Sequence, residues 1–223
     1  MTPRFTLDFG STGALAEADG RLHAPAFARN HEPIWDVIGP WLAQQSGDVL
    51  ELASGTGQHV AAYAPRAPHL TWWPSDIDNP AHVASIKAWR DFAGAVNVRD
   101  PQTIDLMDKD WDMSGPSPGG LTAMLAINLT HISPWPATQN LIAGAGRWLK
   151  GGGRLFIYGP FMKDGTHTAP SNAQFDASLR ASNAAWGVRD IAALAALGEA
   201  AGVPLIEATA MPANNFTLTF ERA

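Results

Sequence analysis

Glu51, Gly55, Gly57 and Asp76 have the types and spacing best suited to chemistry in this chain. The stretch Val49-Leu50-Glu51-Leu52-Ala53-Ser54-Gly55-Thr56-Gly57 reads as a buried strand, Val49 to Leu52, running into a glycine-bearing turn and a helix start. Gly55 and Gly57 permit backbone conformations, and a ligand approach, that a Cβ would block. The N–H groups that open the following helix face whatever fills the turn. Asp76 ends the next strand, where a carboxylate can accept hydrogen bonds from both hydroxyls of a ribose. Its competing role is an N-cap for the segment starting near Pro80, for which Asp78 and Asn79 are better placed. An ordinary tight strand-to-helix turn competes for the whole motif. A nicotinamide fingerprint needs a third glycine where Val60 stands, so a dinucleotide oxidoreductase is disfavoured.

His131 is the titratable group of most interest, since an imidazole can take a proton from an incoming nucleophile. Packing against Pro134 and Trp135 is its structural alternative. His59, in the first turn after Gly57, is expected to line the cofactor pocket rather than move protons. Tyr158, Asn172, Asp176, Trp186 and Arg189 fall in a stretch, about 158–190, with little helical or strand periodicity. Such groups on a long loop suit a small polar ligand, or else a cover whose side chains bond its own backbone. Arg29 fits a carboxylate clamp or a plain surface position. Asn214 and Asn215 suit a turn. The seven histidines are dispersed without ligand spacing, so no metal site is expected.

With 223 residues, 46% hydrophobic and 16% charged, the chain fits one globular domain over 1–223. A net charge of −6 argues against general affinity for nucleic-acid phosphates. The absence of cysteine excludes disulfides, thiolate metal sites and cysteine nucleophiles. No apolar run is long enough for a membrane span and the start lacks an apolar leader, so the expectation is a cytoplasmic protein.

The elements that must position these residues alternate. Residues 1–30 read as irregular. A helix is expected over Glu32 to Gln45, with Pro33 in its first turn and an interruption at Gly39-Pro40. Strands are expected at 49–52, 70–74, 96–98, 121–127 and 154–158, with helices near 58–63, 80–92, 137–149 and 189–201. Two closing strands, 205–209 and 216–221, have a link too short for a parallel crossover. The pattern predicts an α/β fold: a Rossmann-like, seven-stranded, mostly parallel sheet with an antiparallel last strand and helices on both faces.

Glu51-x-Ala53-x-Gly55-x-Gly57 resembles motif I of class I S-adenosylmethionine-dependent methyltransferases, with Ala53 in place of the usual first glycine. The likeness extends through Arg29-Asn30, Ser54 to His59, Trp73 to Asp76, Asn128 with His131 to Trp135, and Tyr158 to Phe161. It continues through Ser171-Asn172, Phe175-Asp176, Trp186-Gly187, Arg189-Asp190 and Met211 to Asn215, over roughly 27–221. As a set these residues are similar to a methyltransferase-like subfamily long filed as a domain of unknown function. The resemblance implies S-adenosylmethionine as cofactor, held by Arg29, Asn30, Glu51, Ala53, Gly55, Thr56, His59, Asp76, Asp105, Leu106 and Asn128. Asp105 would contact the adenine amino group, against simple turn chemistry. Asn128 would lie over the methionine part, against satisfying backbone groups. His131 would be a base near the sulfonium. Tyr158, Asn172, Asp176, Trp186, Arg189 and Asn214 would bind a small-molecule acceptor for O- or N-methylation. A module that binds the cofactor without turnover is the alternative, kept open by Ala53.

Overall fold

The computed structural model describes residues 17–223. Residues 17–26 form turns and a bridge, and the first sixteen residues of the expected irregular segment lie outside the described residues. Helix α1 spans Phe27–Leu42, starting earlier than its apolar spacing suggested. Ile34, Ile38 and Leu42 recur every fourth residue and are buried. Pro33 and Pro40 both lie inside this helix, so the expected break at Gly39-Pro40 does not end it.

Strand β1, Gly47–Leu52, pairs in parallel with β2, Leu70–Asp76, and with β4, Leu121–Ile127. Between them run α2, Gln58–Tyr63, and α3, Pro80–Phe92. The side chain of Asn79 caps α3 by accepting from the N–H groups of Ala81 and His82, which takes that task from Asp76. The third strand is not Val96–Val98: β3 is Gln102–Thr103, paired with Ser75 and Asp76. Val98 forms only an isolated bridge to Trp72. Asn97 explains the shift, because its side-chain amide donates to the carbonyls of Ala64, Ala67 and Leu70 and fixes this stretch as a tie.

Helix α4, Trp135–Trp148, leads into β5, Leu149–Lys163. After β5 come β6 (Thr166–His167), α5 (Pro170–Ser182) and β7 (Arg189–Asp190). The stretch expected to be a long loop therefore holds a helix. Its buried residues are Asn172, Asp176 and Leu179. Two of these three are polar, so the helical spacing carries no hydrophobic signal. The chain closes with α6 (Ile191–Ala200), β8 (Leu205–Met211) and β9 (Asn215–Glu221). The main sheet runs β3-β2-β1-β4-β5-β9-β8, and β9 is antiparallel to both its neighbours.

Side chains alternate across each strand and supply two cores. Leu50, Leu52, Met124 and Leu155 face Leu141 of α4 and Leu194 of α6. Val49, Ala123, Leu125 and Phe156 face Ile38 of α1, Val60 of α2 and Ile86 of α3. Covering both faces leaves the carboxyl edge as the open place for a ligand, at the divergence of β1 and β4. No helix among the described residues is long and apolar enough to cross a membrane.

Candidate functional site

The turn after β1 is built from left-handed residues: Ala53 at φ 53°, Gly55 at 55° and Gly57 at 82°. An alanine in that region carries strain of about 1–2 kcal/mol, so Ala53 keeps the backbone path of the expected glycine at a cost. Gly57 is needed for packing, since a Cβ there would lie 2.6 Å from the Ile86 Cα. The end of β2 braces the turn. Asp76 accepts the N–H of Gly55 at 2.7 Å through Oδ2 and that of Ile77 at 2.8 Å through Oδ1. His82 Nδ1 lies 3.2 Å from the same Oδ2. Ser75 donates its hydroxyl to the Glu51 carbonyl at 2.8 Å.

A cavity of about 520 Å³ opens here, a size ordinary for small-molecule sites. Glu51, Ala53, Gly55, Thr56 and His59 line one wall, with Asn128 from the end of β4. Asn128 is also left-handed, at φ 56°. A smaller cleft of about 60 Å³ adjoins it, bordered by Asp76, Ile104, Asp105 and Leu106. Leu52, Ala53, Ile132 and Trp186 border both spaces.

Glu51 is 2% exposed. Burial, opposed by Ser54 and reinforced by the Asp76 charge, pushes its carboxyl up to about 7. Its Oε2 is buried with no hydrogen-bond partner. A carboxylate buried this way is costly unless a cation or donor reaches it. His59 donates through Nε2 to Asn30 Oδ1 at 3.0 Å, and burial, followed by the His31 charge, holds its imidazole neutral down to about 3. Asp105 is exposed and accepts the Met107 N–H at 2.8 Å, the turn chemistry anticipated as its alternative, while still bordering the cleft.

Several expected site residues do not line either space. Asn30 is spent on His59. Arg29 is exposed on α1, and Tyr158 is buried among the α1–α2 side of the core. His131 is buried, and its imidazole is lowered to about 4 by burial and then by Arg189. The Phe175 ring packs edge-on against it at 5.6 Å, and Phe175, not His131, lines the cavity.

Asn172, Asp176, Arg189 and Asn214, expected as ligand contacts, border neither space and are engaged within the protein. Asn172 donates to the Asn214 carbonyl at 2.9 Å and to the Thr168 hydroxyl at 3.1 Å. Asp176 accepts the Val188 N–H at 2.7 Å and Arg180 Nε at 2.9 Å. Arg189 donates to the carbonyls of Thr130, Ser133 and Ala185. Together they hold α5 as a cap over the cavity. The cap presents Phe175 and Leu179, with Trp186 from the connection to β7.

The sequence reading also missed the segment 22–26, which closes the cavity near α2 and α3. Gln58 Oε1 accepts the Ala24 N–H at 2.6 Å, and Ser85 accepts the Leu22 N–H at 2.8 Å. Gln58, a polar side chain directly beside the glycine turn, was the signal for it. Among the described residues, no group of three or more His, Asp or Glu is placed to hold a metal ion.

Known structures share this architecture. A putative O-methyltransferase from Nostoc punctiforme superposes with a TM-score of 0.76 at 15% identity, over 91% of this chain and 58% of that one. An O-methyltransferase family protein from Burkholderia thailandensis gives 0.74 at 20% identity, over 89% and 57%. A methyltransferase in calicheamicin biosynthesis, in its SAH-bound form, gives 0.64 at 14% identity, over 88% and 55%. The chain thus spans less than three fifths of each of these proteins, and the likeness establishes a methyltransferase fold. A family model matches residues 21–222, nearly the whole chain, and on that match the protein belongs to the family described as "Protein of unknown function (DUF938)".

Proposed function

We propose that this protein is an S-adenosylmethionine-dependent methyltransferase acting on a small molecule, with an oxygen or nitrogen atom as acceptor. The observation that carries the reading is Glu51: a buried carboxylate in the cavity wall, one oxygen without a partner, beside a left-handed turn. An ammonium group is the complement such a carboxylate lacks, and the cofactor's methionine part has one. Asp76 accepts one backbone N–H on each oxygen, with His82 also on Oδ2, so that Oδ1 keeps a lone pair for a ribose hydroxyl. Gly55 and Thr56 offer close backbone approach. The cleft between Ile104 and Leu106, with Asp105 at its rim, suits a flat base. Asn128 completes the wall at β4.

S-adenosylmethionine supplies, when bound, a methyl group already activated on a sulfonium. The protein's task is then to align acceptor and donor and to exclude water. The α5 cap performs the exclusion. No proton transfer is routed through His131. A second reading, cofactor binding without turnover, is favoured by one observation: among the described residues, each histidine at the cavity faces a partner, His59 with Asn30, His82 with Asp76 and His23 with Glu17.

Titration calorimetry tests the proposal. The chain is expected to bind S-adenosylhomocysteine and not NAD, and Glu51→Gln to weaken that binding at least tenfold. NAD binding without response to S-adenosylhomocysteine, or unchanged affinity in a folded Glu51→Gln variant, overturns it. Release of S-adenosylhomocysteine across a metabolite panel separates the enzyme from the binder.

A further inference from the structure

We propose that the acceptor bound under the α5 cap is an uncharged, ring-bearing molecule, selected by Phe175. The inference rests on the methyltransferase reading and names the substrate class of that same site. Away from the glycine turn, beside the polar His23, Asn79, His82 and Asn128, the apolar part of the cavity wall includes Leu22, Ile127, Ile132, Phe175, Leu179 and Trp186. Two of these side chains are aromatic, and such rings favour offset or edge-on contact with a ring-bearing ligand.

Charge narrows the class further. No lysine or arginine lines the cavity or the adjoining cleft among the described residues, whereas Glu51, Asp76 and Asp105 do. The two arginines of the cap region are occupied. Arg180 is bound to Asp176, and Arg189 is taken up by three carbonyls. His23 and His82 each face a carboxylate, at 3.1 Å from Glu17 and 3.2 Å from Asp76. The cofactor's methionine part already brings one carboxylate into this cavity, so a carboxylate or phosphate on the acceptor would be a second anion with no lysine or arginine in the wall beside it, which is strongly unfavourable.

Phe175 is the residue that betrays a ligand. It is 42% exposed on α5, where its neighbours Ser171, Ala173, Gln174, Ala177 and Ser178 are small or polar. A large ring standing at an exposed helix position and bordering a cavity is poorly explained by packing alone, although its edge touches His131.

The probes are 2-naphthol and 2-naphthoate, rings of equal size that differ in charge, titrated into the full chain saturated with S-adenosylhomocysteine. The wild-type protein is expected to bind 2-naphthol at least tenfold more tightly than 2-naphthoate. Phe175→Ala should weaken 2-naphthol at least fivefold, and Phe175→Arg should reverse the preference. Because Phe175 is partly exposed, both variants are expected to fold, which their melting curves check. Equal affinity for the two probes, preference for the carboxylate, binding of neither, or indifference to Phe175 overturns the inference. Failure of S-adenosylhomocysteine itself to bind removes the cofactor reading as well, and is seen in the first titration, before any probe is added.

Discussion

Along Glu51–Thr56, one carboxylate and a run of small residues line the cavity; at the α5 cap, what lines it is Phe175, Leu179 and Trp186. The polar residues of the cap point the other way in function, as Asp176, Asn172 and Arg189 tie it to Val188, Asn214 and the loop after β4. The turn is fixed by what its backbone must do, so residue type reports its role directly. In the cap, polarity reports assembly and apolarity reports contact with the cavity. A polar residue on a substrate-side segment is therefore a poor guide to a ligand when that segment has no other means of anchoring itself.

This contrast is tested most severely at Gly57. Replacing it with alanine adds a Cβ against the Ile86 backbone at a left-handed position. Overpacking and backbone strain together should cost about 3 kcal/mol, seen as a fall in the urea midpoint and loss of S-adenosylhomocysteine binding. A variant of unchanged stability would mean that the turn has room to move.

Glu51→Gln should separate stability from binding. The folded-state pKa of Glu51 is raised from 4.5 to about 7, so the native state holds its proton more tightly than the unfolded chain. The stability this group contributes is complete below pH 4.5 and is lost as pH rises through 7. Glutamine mimics the protonated form at every pH. The variant should accordingly gain about 2–3 kcal/mol over wild type above pH 7 and match it near pH 4, while binding cofactor less well. Parallel stability curves from pH 4 to 8 would contradict this assignment.

Asp176→Ala should act on the cap alone. Losing the acceptor for the Val188 N–H and the Arg180 guanidinium should cost about 1–3 kcal/mol. Amide exchange at Val188 should accelerate, with S-adenosylhomocysteine affinity changed less than threefold. A large loss of cofactor affinity would instead join cap and turn into one unit. Smallest of all, Ala53→Gly should relieve the left-handed strain and stabilise by about 0.5–1 kcal/mol, measured by thermal melting. Destabilisation would show that the methyl group's packing outweighs its strain.

The sequence alone determined the turn and the sheet apart from its third strand and the short β6 and β7. Val49–Leu52, apolar but for Glu51, and Leu121–Ile127, apolar but for Thr122, call for burial on both faces, and the short link before β9 demands an antiparallel partner. Glycine at 55 and 57 and aspartate at 76 mark a backbone path that few other residues allow. Tertiary structure alone decided the rest. Only the fold places Phe175 rather than His131 at the cavity wall, and joins residues 22–26 to Gln58 and Ser85 across 34 and 63 positions of chain. Helix α5 stayed hidden because its inward face is made of Asn172 and Asp176, whose partners at Asn214 and Val188 exist only once the chain has folded. Local patterns record what a residue needs from water and backbone; which group satisfies that need is settled by contacts between distant parts of the chain.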